Sequence, residues 1–491
     1  MKRFIIAAFL LFTYFTNAQS SLLNSDFWKK SPTVDLVKSE IQKGNSPSEA
    51  NRGNHDVVSI AINNNAPLET ILYLLEQEGN SVDKTTHDGR LYIHWAASRG
   101  NVELVKILID KGSDIFRTDD KGAIPISFAA SNGQTNTEIY ELLFKAGNDP
   151  KQKFQNGANL LLLSIANDKD LTLANYFVSK GLSLNSTDDL GNTAFDYAAR
   201  KGDIEFLQTL LDKGVKHTDK ALIFASQGTR GFANNLATYQ YLVEKVKINA
   251  NAKGDNGENV LHNLVKKQDQ EDIIAYFLEK GVDVNAADKN GITAFMEAAT
   301  GNNVTVLETL LPLVKNINQT DKKGMTALAY AVNNGSAVVV SFLIKNKGDV
   351  QMIDADGNNL AYYLIQSYKP VRPGQKDQFP EKLNILKQAG VKFNAQQQDK
   401  NTLYHYAVAK NDINLLKSLE AFSIDINSAN NEGMTALHRA ALVAKDDTIL
   451  KYLVEKGAVK NLKTEFDETA YDLASENESL LENKISVEFL N

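Results

Sequence analysis

Apolar residues along this chain fall three and four positions apart in short runs that come in pairs, and the pair returns about every 33 residues. The first run of each pair is narrow. It follows a phrase of the form Gly-x-Thr-x-(Leu/Phe)-x-x-Ala-Ala, with clear copies beginning at Gly191, Gly291, Gly324 and Gly433. That spacing puts the apolar positions on one face of a helix, and the threonine hydroxyl ahead of them can cap amide groups left free at its start. Thr193 with Asp196 and Thr469 with Asp472 have the spacing of a capping box, in which the carboxylate reaches back to the cap amide. Paired alanines such as Ala96-Ala97, Ala129-Ala130, Ala198-Ala199 and Ala298-Ala299 keep this helix thin enough for close neighbours. The second run is thicker and aliphatic, as in Gly100-Asn-Val-Glu-Leu-Val-Lys-Ile-Leu-Ile-Asp-Lys-Gly112, and Gly112, Gly181, Gly214, Gly281 and Gly457 stand where a left-handed residue ends a helix cheaply. Asp-x-x-Gly segments such as Asp119 to Gly122 and Asp288 to Gly291 predict a tight hairpin turn between pairs.

Degenerate copies anchored at Gly53, Gly89, Gly122, Gly157, Thr218, Gly257, Gly357, Lys400 and Asp467 fill the gaps. Neighbouring anchors lie 33 to 36 residues apart, except for the steps of 27 to Thr218, 39 to Gly257 and 43 to Lys400. Self-similarity at this period marks a repeat architecture, in which no unit buries its apolar face alone and stability comes from stacking. The phrase closely resembles the ankyrin repeat over residues 51–478. The resemblance implies an all-α, ankyrin-repeat α-solenoid of about 13 helix-turn-helix repeats with short β-hairpin turns between them. It replaces the roughly three globular domains that the length alone suggests. His94, His262, His405 and His438 each stand five residues after an anchor. In the family that histidine ties a helix start to the adjacent hairpin, and the resemblance carries this structural role to those four.

The ends depart from the repeat. Residues 1–18 read as a secretory signal peptide cleaved after Ala18: Lys2 and Arg3 are followed by a twelve-residue apolar run, Phe4 to Phe15, and by Thr16-Asn17-Ala18. Twelve residues fall short of the roughly 20 that span a bilayer. A bare leader of this type looks bacterial and implies periplasmic or secreted delivery. Residues 19–50 are expected to form N-terminal capping helices, with Phe27 and Trp28 covering the first apolar interface and a helix over Val34 to Gly44. Residues 479–491, with Leu480, Leu481, Ile485, Val487 and Phe489, are expected to close the other end.

Hydrophobic and charged residues make up 43% and 23% of the chain, ordinary values for a soluble domain, and there is no cysteine, which excludes disulfides, thiolate catalysis and cysteine zinc sites. Loss of Lys2 and Arg3 takes the net charge from -7 to -9, a poor balance for a general nucleic-acid ligand. Glycines serve turns and helix ends, with no phosphate-binding loop, and no Gly-x-Ser-x-Gly motif occurs. The four repeat histidines are spread along the array and cannot meet on one metal; His55, His87 and His217 have no partner at metal-binding spacing. The pairs Asp119-Asp120 and Asp188-Asp189 read as solvated turn residues. No catalytic residue, cofactor or metal is expected.

The resemblance therefore implies a non-catalytic protein-interaction scaffold, with contacts from hairpin tips and the exposed face of the first helix. The basic side chains mapped there are Arg90, Arg99, Arg200, Lys201, Lys266, Lys267, Lys289, Lys322 and Lys323, a shallow positive stripe on the concave face diluted by Asp88, Asp120 and Asp189. The expected protein is an exported monomer that binds a protein partner, with no nucleic acid and no membrane insertion after signal removal. An exported effector or toxin-immunity factor is the second reading. An enzyme is the third, and it would have to hide its site in two expanded loops, Ser226 to Asn235 and Tyr368 to Pro380, where Arg372, Lys376 and Asp377 are the reactive side chains.

Overall fold

The computed structural model describes residues 20–229, 233–371, 374 and 376–491; the expected leader lies outside the described residues. The chain falls into two compact units, Met1–Phe232 and Ala233–Asn491. The division lies within the first expanded loop.

In the first unit the narrow helices Val57–Asn63, Tyr92–Arg99, Pro125–Ser131, Leu160–Ser164, Ala194–Ala199 and Lys220–Gln227 stack in chain order. The alanine pairs make this possible: Ala96, Ala97, Ala129, Ala130 and Ala199 are wholly buried, where a larger side chain would force the helices apart. Behind them run the thicker helices, such as Val102–Asp110, which buries Leu104, Val105 and Leu108 at helical spacing. Each such leucine contributes about 1.5 to 3 kcal/mol by burial. Trp28 is fully buried at the N-terminal end and donates its indole N–H to the Leu22 carbonyl at 2.7 Å. The helix Val34–Gln42 follows and completes the cap.

The second unit repeats the plan with the narrow helices Val260–Leu264, Ala294–Ala298, Ala327–Asn334, Leu360–Ser367, Leu403–Val408, Ala436–Val443 and Ala470–Glu476. Its C-terminal end is covered by the helix Glu478–Glu482 and a turn of 3-10 helix at Glu488–Leu490, which bury Leu480 and Leu490 and leave Leu481 exposed. The threonine cap ahead of the narrow helix is seen at Thr193, whose hydroxyl accepts from the Asp196 amide at 3.2 Å while Asp196 accepts from the Thr193 amide at 2.9 Å.

Hairpins shrink to turns closed by isolated β-bridges, such as Thr187 with Thr193 and Thr320 with Thr326. Their shape comes from one side chain. The Oδ1 of Asp119, Asp188, Asp288, Asp321, Asp354 and Asn430 accepts the amide N–H groups two and four residues further on, at 2.7 to 3.0 Å. This corrects the expectation of solvated acid pairs: Asp119 and Asp188 are buried and build the turn, and Asp120 and Asp189 alone face water. Burial without those bonds would cost several kcal/mol.

Many successive tips are then joined by a backbone bond in which the later hairpin donates to the earlier one. In the first unit Asp120 donates to Asp88 at 2.9 Å and Asp189 to Asn156 at 2.8 Å; in the second the rungs include Lys289 to Asn256, Lys322 to Asn290 and Ala355 to Lys323, at 2.7 to 2.9 Å. At most anchors glycine makes room for such closeness. Gly324 has φ +78°, and a β-carbon there would lie 2.8 Å from the Ala355 amide nitrogen.

Candidate functional site

A groove of about 870 Å³ lies in the first unit, along the hairpin side of the helices Val57–Asn63, Tyr92–Arg99 and Pro125–Ser131. Its floor is aromatic. The rings of His55 and His87 stack at 4.3 Å and 24°, His55 meets Trp95 at 5.4 Å, and Trp95 meets the edge of Phe128 at 5.5 Å. Trp95 and Phe128 occupy the same place in consecutive repeats, six residues after the anchor, which is why they fall side by side.

Arg90 is the clamp of this floor. Its guanidinium lies over Phe128 at 4.4 Å and Trp95 at 5.0 Å, donates from Nε to Asp119 at 2.9 Å, and pairs with Asp88 at 3.2 Å. It is only 6% exposed, which corrects its placement among exposed contact residues. Cation-π contact and a charge-assisted bond to a buried carboxylate hold it inward. The Trp95 indole donates to the Thr86 hydroxyl at 2.8 Å and so ties the helix to its own hairpin.

His87 and His55 have partners after all, each other and Asp88, whose Oδ2 lies 3.5 Å from His87 Nε2. The Gly53 carbonyl accepts from His87 Nδ1 at 2.6 Å, which places the hydrogen of the neutral ring on Nδ1. Burial is the main cause holding the His55 pKa below its ordinary value, and the neighbouring His87 and Arg90 act in the same direction. Among the described residues no group of three or more metal-ligating side chains occurs.

At the far end of the groove stands Arg99. It is exposed, its Nε donates to Asn63 Oδ1 at 3.1 Å, and among the described residues no carboxylate pairs with it. Asn64 and Asn132 turn their amide nitrogens back to the Ile60 and Phe128 carbonyls, each at 2.8 Å. A carboxamide tethered through its nitrogen keeps its oxygen available as an acceptor.

The other expected contact residues lie elsewhere. Arg200 is half-buried, with its guanidinium over Phe224 at 4.6 Å and Tyr197 at 5.6 Å, a second case of the Arg90 arrangement. Lys201 is half-buried and reaches Asn167 at 3.4 Å. In the second unit Lys266 is exposed and pairs with Glu297 at 3.2 Å, and Lys267 is half-buried, with its pKa lowered by that burial. Lys289, Lys322 and Lys323 are exposed at hairpin tips, where their backbones supply the rungs between repeats. Of the loop residues, Lys376 pairs with Glu381 at 2.7 Å and Asp377 accepts from the Phe379 amide at 2.9 Å; Arg372 lies outside the described residues.

The four repeat histidines share one geometry. Nδ1 accepts the amide of the cap residue, Leu91, Asn259, Thr402 or Thr435, at 3.0 to 3.2 Å. Nε2 then carries the hydrogen and donates to a carbonyl of the next hairpin segment, Ala123, Ile292, Met434 or Leu462, at 2.9 to 3.2 Å. Burial lowers the pKa of all four, His94 to about 4. Asp196 fills the same place with reversed polarity, accepting from the Thr218 amide and hydroxyl at 2.9 Å each.

Ankyrin repeats in sets of three match residues 33–119, 58–153, 126–221, 222–321 and 375–464, and a single ankyrin repeat matches 323–355, together well over half of the chain. The chain is 23% identical to the Variola virus "Ankyrin repeat protein OPG189" over 215 residues, 43% of this chain and 36% of that protein. It is 34% identical to the Lachancea kluyveri "Palmitoyltransferase AKR1" over 135 residues, 26% of this chain and 18% of that protein. With a "Putative ankyrin repeat protein" of Rickettsia felis it shares 27% over 252 residues, 50% of this chain and 61% of that protein. Each match spans less than two thirds of the relative.

Proposed function

This chain belongs to the ankyrin repeat family, and on that premise we propose that it is a non-catalytic, exported scaffold that binds a protein partner along the hairpin side of its narrow helices. The observation that carries the reading is the groove of the first unit, where a preformed aromatic floor lies beside polar groups that the fold leaves open. Preformed concavities of this size, apolar at the base with a few directed polar groups, are the usual form of binding sites. Scaffolding needs no chemistry of the site itself. The palmitoyltransferase relative matches over only 18% of its own length, so that activity does not carry over. Export rests on residues 1–18, whose charge and apolar run have the form of a cleavable leader.

The test is chemical cross-linking in cells that express the full chain, followed by recovery and peptide mapping. A protein cross-linked through lysines beside the groove, such as Lys121, in an osmotic-shock fraction supports the reading. Recovery of the chain only as itself, or a partner mapped solely to the outer, thicker helices, overturns it.

A further inference from the structure

The groove's open polar groups differ in kind at its two ends, and the difference bears on what it holds. Arg99 is a planar fork of donors, oriented through Nε by Asn63, whose terminal nitrogens meet no protein acceptor among the described residues. Most other cations nearby are satisfied: Arg90 by Asp88 and Asp119, Lys121 by Asp88, Lys84 by Asp56. A guanidinium held in place with its fork open is matched by a carboxylate, which can accept two parallel bonds from it. The helix Val57–Asn63 separates this end from His55, and its seven residues span about 10 Å. That distance fits about three residues of extended chain.

We propose that the groove takes an extended acidic segment of the partner, one carboxylate seated on the Arg99 guanidinium and a second facing the stacked His55 and His87 rings. The inference rests on the scaffold reading and names the partner's chemistry at that site. Charge complementarity supplies the argument for an acidic occupant. Along the groove Arg90 and Lys121 are already paired with Asp88 and Asp119, which leaves the Arg99 cation to draw an anion. The carboxamide oxygens of Asn64 and Asn132, at the Arg99 end, can receive backbone N–H groups of such a segment.

The histidine end adds a condition. Asp56, Asp88, Arg90 and His87 surround His55; His55 and Asp88 flank His87, with Lys84 and Lys121 held on the two carboxylates. His87 Nε2 faces Asp88 Oδ2 at 3.5 Å. An added carboxylate favours a proton on His55, whose burial otherwise disfavours one, so the complex forms with proton uptake and tightens as the pH falls.

Random peptides of about twelve residues displayed on phage and panned against the full chain at pH 6 provide the test. Enrichment of segments with two carboxylates about three residues apart, with affinity severalfold higher at pH 6 than at pH 8 and lowered about tenfold in Arg99→Gln, is the expected result. Arg99 is exposed, so this variant should melt as the wild type does. His55→Gln should flatten the pH dependence while acidic peptides still bind. Enrichment of peptides without acidic residues, or binding indifferent to Arg99→Gln, overturns the inference and leaves the scaffold reading standing. Failure to enrich any peptide also overturns it, and cross-linking of a folded partner then decides the scaffold reading separately.

Discussion

The Tyr197 hydroxyl donates to Asp188 Oδ2 at 3.0 Å, so the side chain that shapes a hairpin with one oxygen anchors the following helix with the other. The same bond links Tyr330 to Asp321 at 2.7 Å and Tyr363 to Asp354 at 2.5 Å. Tyrosine six residues after the anchor and aspartate three before it therefore form one device. Tyr330→Phe keeps the ring and removes the donor, leaving a buried carboxylate oxygen short of a partner. The expected loss is about 1 to 2 kcal/mol in urea unfolding. An unchanged midpoint would show that the carboxylate has found water instead.

The buried histidines make stability depend on pH, and the sign follows from their direction of shift. His94 has its folded pKa lowered from 6.5 to about 4, so the unfolded chain binds the extra proton between those values. Its stabilising contribution is full above pH 6.5 and is lost as the pH falls towards 4, amounting to about 3 kcal/mol at the extremes. His262, His405 and His438 shift in the same direction. The melting temperature is expected to drop between pH 7 and pH 5, and His438→Gln should reduce that drop while lowering stability at pH 7. A melting temperature that rises on acidification would contradict the assignment.

Two glycines separate strain from contact. Gly324 and Gly357 have φ of +78° and +88°, but only Gly324 faces a neighbour within 4 Å. Alanine at Gly357 is expected to cost roughly 1 to 2 kcal/mol for the left-handed backbone alone. Alanine at Gly324 should cost distinctly more, because the hairpin rung to Ala355 must open. Equal costs, measured by calorimetry, would mean that the rung yields freely.

A charge reversal tests whether the second unit shares in binding. Lys266, Lys322 and Lys323 are exposed, and turning all three to Glu should change stability by only about 0.5 kcal/mol each. Lys267 is half-buried and is better left alone. If the partner reaches these repeats, association slows and the wild-type rate falls with added salt. A rate that is the same for both proteins, at low and high salt, confines binding to the first unit.

Most of the fold was legible in the sequence because repetition averages out local ambiguity: a single Asp-x-x-Gly is a weak sign, and a row of them in register is not. The burial of the first aspartate was not legible, since a turn residue is polar whether it faces water or folds back on its own amides. Arg90 was misplaced for a related reason. Its position one residue after the anchor is buried at other repeats too, as at Asn192, Met325 and Asn358, and what holds an arginine there is an aromatic on the next repeat, Phe128, 38 residues away. His55 and His87 were set aside by motif spacing along the chain. In a stacked array residues about one period apart are neighbours, and the period itself was the signal that could have paired them.

The rungs between hairpin tips all run in one sense, from the later amide to the earlier carbonyl. In the second unit the series changes character between the hairpins near Asn358 and Gln398, where the Gln398 amide donates to the Asn358 side-chain oxygen at 3.0 Å. A side chain can swing where a backbone carbonyl cannot. Under tension the array should thus behave as a ratchet strip that pays out one repeat per click, with this joint as its compliant link, a sawtooth that an optical trap would record.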